Sequence, residues 1–411
     1  MLLAVAAWGG LFTVADPAFS QTWTPTSSPS NNWNTVASSA DGSKLIAGGM
    51  PWIYCISTNS GTTWITNTQP QNGSTYGGWT SIASSADGTK FAAVLGDVIW
   101  VSTNSGTTWL SNNVPGVSFF GSVALSADGN KLVAVVGDYS SPGPIYISTN
   151  SGITLTQTTA PTNNWMSVAS SADGTKLVAA AMNSEGGFIY ASMDSGLTWT
   201  LTGAPTNNSW ATVASSADGS KLVAASGFAF IPALSYGGVY TSTNFGMSWT
   251  SNNVPAAQWT SVASSADGTR LVAACIDLYN DPTGLIYSST NSGASWVSNS
   301  APNESWYSVA SSADGNKLMA AALGDQSFNP VPIYTLQTTP SPQLNLTPTN
   351  GNLKLSWIVP STNFVMQQSS DLGSASWTDV TNTPVLNLTN LQDEVTLPMP
   401  AGSGFYRLKT P

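Results

Sequence analysis

Between residues 21 and 340, apolar and polar positions group into short runs that return in the same order. In the stretch 259–298 they are a Ser/Val/Ala segment (259–265), a continuous apolar run (271–275), an Ile-Tyr-x-Ser run (285–289) and a short polar run (295–298). Runs of this length, rich in β-branched and aromatic residues and bounded by Gly, Asn, Asp and Ser, predict β-strands. We label the four strands A to D in chain order. The small residues of strand A suit a strand crowded against its counterparts near an axis. No run is long enough for a membrane-spanning helix.

Ser-Ala-Asp-Gly separates A from B in every copy, with its aspartate at Asp41, Asp87, Asp128, Asp173, Asp218, Asp267 and Asp314. The gaps of 46, 41, 45, 45, 49 and 47 residues are the spacing of propeller blades. Asp-Gly marks a hairpin, because glycine accepts the positive φ of such a turn. Three residues after each aspartate stands a cation: Lys44, Lys90, Lys131, Lys176, Lys221, Arg270 and Lys317. These pairs flank the turns and mark one face of the disc; an exposed pair contributes under about 1 kcal/mol. The seventh copy has no fourth strand, whereas Gln21-Thr22-Trp23-Thr24 reads like one. The N-terminal strand is therefore expected to close the ring, which removes two sheet edges at once. The predicted fold is all-β: a seven-bladed β-propeller over 21–340, then a small β-sandwich over 341–411.

A second motif lies between strands C and D. It reads Ser57-Thr58-Asn59-Ser60-Gly61-Thr62-Thr63-Trp64 and returns at 102–109, 192–199, 242–249 and 289–296; the copy from Ser148 ends in Leu155. The pattern resembles the Asp-box, or bacterial neuraminidase repeat, of sialidase-like propellers, Ser-x-Asp-x-Gly-x-x-Trp. Asp194 matches the aspartate of that family and the other copies carry Asn. Asn is expected to take the left-handed turn conformation in its place. The resemblance implies the fold and says little about chemistry, since the box lies far from the catalytic residues of the family. Those enzymes grip a carboxylate with three arginines and use a Tyr-Glu pair. Here arginine occurs at Arg270, in a hairpin, and at Arg407, outside the propeller. The resemblance thus implies a non-catalytic member.

Composition narrows the function further. Charged residues are 7% of the chain against roughly 25% in an ordinary globular protein, and the net charge is −10. So few cations exclude a nucleic-acid partner, which needs clustered Lys and Arg. With no histidine, the Ser-His-Asp relay and most zinc sites are excluded too. Residues 2–14 are apolar, and Ala18-Phe19-Ser20 offers small residues before a cut, so 1–20 reads as a signal peptide and the protein as secreted or surface-bound. Cys55 and Cys275 fall in blades 1 and 6, too far apart for a disulfide. Beyond Pro340-Ser341-Pro342 the repeat stops. The Leu-Ser-Trp, Trp-Thr-Asp-Val and Phe-Tyr-Arg-Leu segments there resemble small fibronectin-III-like modules, which implies a spacer or attachment role.

Loops B–C and D–A should share the variable face, where function is expected. An aromatic stands eight residues before each hairpin aspartate: Trp33, Trp79, Phe120, Trp165, Trp210, Trp259 and Trp306. They could stack on sugar rings or wedge neighbouring blades apart. Phe228, Phe230 and Tyr236, in the longest B–C loop, and Tyr279 add aromatic candidates for ligand contact. Asp97, Asp138, Asp277 and Asp325, with Glu185, Asp281 and Glu304, give this face a negative field that favours cations or neutral hydroxyl-rich ligands. Two of these carboxylates could act as a glycosidase pair, and Asp277 with Asn280 and Asp281 could offer oxygen ligands to calcium. The expected function is non-catalytic binding of a glycan or surface protein. Hydrolysis of a neutral polysaccharide and a structural role in an extracellular layer or filament are the alternatives.

Overall fold

The computed structural model describes residues 6–7, 22–68, 78–137, 142–183, 186–227, 236–276, 284–325, 329–337, 344–358, 365–370, 377–388, 390–400 and 404–409. Among them are nine four-stranded sheets. Seven are blades. Blade 1 runs Asn32–Ser38, Leu45–Met50, Ile53–Ser57 and Ile65–Asn67 in order from A to D. Blades 2 to 6 repeat this order over 81–113, 120–157, 165–201, 210–251 and 258–298. Blade 7 takes strands A to C from Glu304–Ser311, Lys317–Asp325 and Tyr334–Gln337, and strand D from Thr24–Pro25. Thr24 lies opposite Thr335 and Pro25 opposite Tyr334, so the N-terminal strand closes the ring. Pro25 is tolerated because D is an edge strand. Trp23 is buried and its ring lies 6.2 Å from that of Trp306.

Hydrogen bonds fix the two faces. In blade 1 the box residue Ser60 donates its N–H to the Ser43 carbonyl of the hairpin at 2.8 Å, and blades 2 to 6 repeat the contact. On the other face B–C and D–A segments pair, as Gly143 with Asn163 and Gly237 with Ala257. Within the box, Ser57 Oγ accepts from Gly61 N at 2.9 Å and Asn59 Oδ1 accepts from Thr63 N at 2.9 Å. The left-handed residues are Ser60 (φ 55°) and Gly61 (φ 86°). The expectation that Asn59 would take that conformation is corrected: its side chain caps the turn while the next two residues reverse the chain.

Three closed rings hold neighbouring blades together. The first is aromatic. Trp33, Trp79, Phe120, Trp165, Trp210 and Trp306 are 0% exposed and Trp259 is 1% exposed. Each packs between blades, as Trp33 does among Leu45, Ala47, Met319 and Ala321. The second ring is of hydroxyls. Thr35, Ser81, Ser122, Ser167, Thr212, Ser261 and Ser308 each accept a backbone N–H from the valine or isoleucine of the next blade at 3.0–3.3 Å. The third runs through the hairpin alanines. The N–H of Ala40 donates to the Ala86 carbonyl, and the relay passes through Ala127, Ala172, Ala217, Ala266 and Ala313 back to Ala40 at 2.7–2.8 Å.

The cations do not serve their own hairpins, which corrects the expected pairing. Lys176 Nζ donates to the Asp218 carbonyl at 2.7 Å, Lys221 to Asp267 at 2.8 Å and Lys317 to Asp41 at 2.9 Å, each in the next blade. The lysine stem also lies against the next hairpin: a Cβ on Gly88 (φ +62°) would meet Lys44 Cδ at 2.7 Å. Glycine there answers both to the left-handed turn and to this close approach. Burial raises the Asp173 carboxyl, but hydrogen bonds from Ser171 and Thr175 and the charge of Lys131 outweigh it, leaving the group below its ordinary value. Asp41, Asp87, Asp128 and Asp218 are held low in the same way. At Asp314 burial wins, and the carboxyl is raised.

The two remaining sheets form the C-terminal sandwich. One comprises Asn345–Thr349, Asn352–Ile358, Gln392–Pro398 and Val385–Asn387. The other comprises Val365–Ser369, Phe405–Lys409, Thr378–Asp379 and the short Ala6–Ala7. Leu353, Leu355, Trp357, Met366, Val395 and Leu408 fill the space between them. Residues 8–21, with the expected cleavage site, and 338–343, with the expected domain boundary, lie outside the described residues. Cys55 and Cys275 are separate buried thiols. No helix among the described residues is long and apolar enough to cross a membrane.

Candidate functional site

Side chains with no exposed surface cannot stack on a sugar, so Trp33, Trp79, Trp165, Trp210, Trp259 and Trp306 are blade wedges and not ligand platforms. The ring positions face neighbouring sheets because strand A alternates its side chains between the two blades beside it. In blade 5, Trp210 meets Tyr240 edge-on at 5.1 Å and Trp249 at 6.1 Å, with its Nε1–H donating to the Pro205 carbonyl at 3.2 Å.

The next residue along strand A behaves differently. The A–B register slips between Trp33 and Thr35, and at the same place in blades 3 to 7, so the residue after the aromatic is left over as a β-bulge; blade 7 slips a second time, between Glu304 and Trp306. A bulge re-aims its side chain. These residues, with Thr80 at the same place in blade 2, are Asn34, Gly121, Met166, Ala211, Thr260 and Tyr307, all half-buried. Two of them bridge to the next blade: Asn34 Nδ2 donates to the Trp79 carbonyl at 3.3 Å and Thr260 Oγ1 to the Trp306 carbonyl at 2.9 Å. They therefore stand where the A strands meet, at the variable-face mouth of the channel. The signal was in the sequence, since the residue after the invariant aromatic varies from Asn and Thr to Gly, Met, Ala and Tyr among the copies.

Blade 1 concentrates polar groups at this mouth. Asn31 Nδ2, Asn32 Oδ1 and Asn34 Oδ1 are buried amide atoms with no hydrogen-bond partner among the described residues. A buried polar atom left unpaired costs about 1–3 kcal/mol, so each of the three points to a water or a ligand group. Asn32 lies opposite Met50, and Met50 leads into the turn that carries Trp52. Trp52 is half-buried and has φ 50°, a conformation a bulky residue adopts at a cost. Single atoms of Asn164 and Asn208, in blades 4 and 5, are unpartnered in the same sense. Asparagine is abundant in the loops, so these positions do not stand out in the sequence.

The acidic candidates fare unevenly. Asp97 is half-buried in the two-residue turn Gly96-Asp97 between Leu95 and Val98. Asp138, Glu185, Asp277, Tyr279, Asn280, Asp281, Phe228 and Phe230 lie outside the described residues. Tyr236 is 46% exposed. The backbone of Asp325 pairs directly opposite that of Glu304. Glu304 is 8% exposed and accepts a hydrogen bond from Tyr334 Oη at 3.0 Å. Burial and the neighbouring Glu304 carboxylate push the Tyr334 hydroxyl up to about 12. Among the described residues no His, Cys, Asp and Glu side chains gather in threes as a metal ion would require. Small crevices between blades, beside the hairpin cations, hold about 20 Å³, room for a water.

Solved structures share this architecture. The chain is similar to YCF48 bound to a D1 peptide, with TM-score 0.56 and 14% identity over 79% of this chain and 99% of that one. It is similar to a GH74 xyloglucanase from Xanthomonas campestris at TM-score 0.58 and 13% identity, over 87% of this chain and 59% of that one. Hydrazine synthase of Kuenenia stuttgartiensis aligns at TM-score 0.56 and 14% identity, over 77% of this chain and 98% of that one. All three are β-propeller proteins. At such identities the likeness shows the fold. No protein-family model matches the sequence, and no curated protein does.

Proposed function

We propose that this chain is a secreted or surface-exposed, non-catalytic propeller that binds a neutral glycan or a protein segment at the variable-face mouth of its channel. The observation that carries this reading is the set of unpartnered amide atoms on Asn31, Asn32 and Asn34 in blade 1, with the left-handed Trp52 two residues beyond the Met50 that pairs with Asn32. Amides donate and accept without charge, which matches sugar hydroxyls and peptide backbone alike. The acidic surroundings disfavour anionic ligands. Among the structural neighbours, one is bound to a peptide and another is a xyloglucanase, so both ligand classes occur on this fold.

The test is a binding screen of residues 21–411 against neutral and acidic polysaccharides and extended peptides. A neutral hit weakened at least tenfold by Asn34→Leu, with unchanged thermal stability, supports the reading. Binding that ignores Asn34→Leu and Trp52→Ala moves the site elsewhere. Sugar release abolished by Glu304→Gln would overturn the non-catalytic assignment.

A further inference from the structure

We propose that the C-terminal module stoppers the channel with Leu391, making the propeller a blind cup that opens on the variable face alone. The socket is the alanine ring. The hairpin face brings the side chains of Ala40, Ala86, Ala127, Ala172, Ala217, Ala266 and Ala313 into one apolar cluster, and Leu391 packs against it. A ring of methyl groups left facing water is unfavourable, and an aliphatic side chain is what such a socket accepts.

Leu391 is presented to that socket by its own turn. It sits between Val385–Asn387 and Gln392–Pro398 with φ 55°, its N–H donating to the Asn387 carbonyl at 2.8 Å. Left-handed backbone is costly for leucine, and here the side chain is not among those filling the core of the sandwich. The chain path leads to the same place. Strand C of blade 7 ends at Gln337 on the hairpin face, and the core of the sandwich begins at Leu344. The steps between them span at most roughly 24 Å, so the module hangs against this face. Burial of the hairpins agrees. Asp314 and Asp41, in the adjoining blades 7 and 1, are half-buried, whereas Asp87, Asp128, Asp173, Asp218 and Asp267 are exposed. The module is then a fixed part of the disc, which argues against the spacer half of the spacer-or-attachment role its sequence implied.

Ala172→Cys places a thiol in the ring, against a background of two buried native thiols. In the full chain N-ethylmaleimide should label it at least tenfold more slowly than in the same chain carrying Leu391→Ser. Equal rates overturn the proposal. Because the ring tolerates little bulk, a second pair leaves it intact: Leu391→Cys should label at least tenfold more slowly than Leu388→Cys, whose leucine is 41% exposed. Equal labelling of that pair also overturns it. The proposal does not depend on any ligand at the opposite face.

Discussion

Trp210→Ala separates the wedge from the ligand platform. The indole is fully buried against Tyr240 and Trp249. An aromatic side chain buries about 200 Å², and at about 25 cal/mol per Å² its removal forfeits about 5 kcal/mol of transfer energy. The alanine methyl retains part of this, and the surrounding rings relax only partly into the space. Measured truncations of this kind cost about 3–5 kcal/mol, so we expect a loss of about 4 kcal/mol. Urea unfolding followed by far-ultraviolet circular dichroism reads the loss as a lower midpoint at unchanged slope. Trp210→Phe should recover most of it, since Phe120 fills the same position in blade 3. A loss below about 1 kcal/mol, paired with abolished ligand binding, would refute the assignment of the aromatic ring to packing.

Ring closure predicts that deleting residues 22–26 removes the Thr24–Pro25 strand and the Trp23–Trp306 contact together, lowering the melting temperature of the propeller as a whole; an unchanged melting curve would contradict closure. Thr212→Val leaves the buried Val262 N–H without its acceptor, at a cost of about 1–3 kcal/mol by chemical denaturation, whereas Thr206→Val on the exposed loop should change little. Acid should destabilise the protein. Asp41, Asp87, Asp128, Asp173 and Asp218 have folded values below their unfolded ones, so their contribution is complete above about pH 4 and disappears as pH falls through the folded values. Asp314, raised by burial, works in the opposite sense. A stability profile flat from pH 5 to pH 2 would show that the hairpin network contributes nothing.

Much of the architecture is legible in the order of residues because each blade is a local object. Four strands and the three turns that join them lie within one repeat, and two of those turns need their own chemistry, so Asp-Gly and the Ser-x-Asn-x-Gly-x-x-Trp box announce themselves by spacing. Closure was legible for a related reason: blade 7 lacks a strand D, and the segment around Trp23 supplies one. The site was not legible in this way. A periodic aromatic looks the same whether it faces a ligand or the next blade, and only the packing of one sheet on another placed Trp33 and its counterparts inside. Lys176 stands three residues from Asp173, yet its extended side chain reaches Asp218, because strand B carries it towards the neighbouring blade. The unpartnered amides of Asn31, Asn32 and Asn34 and the seat of Leu391 depend on which groups come close in space. Sequence by itself determined the number, order and turns of the blades, since those rest on short-range geometry. The tertiary structure decided which side chains meet between blades, since those contacts join residues about forty positions apart or more.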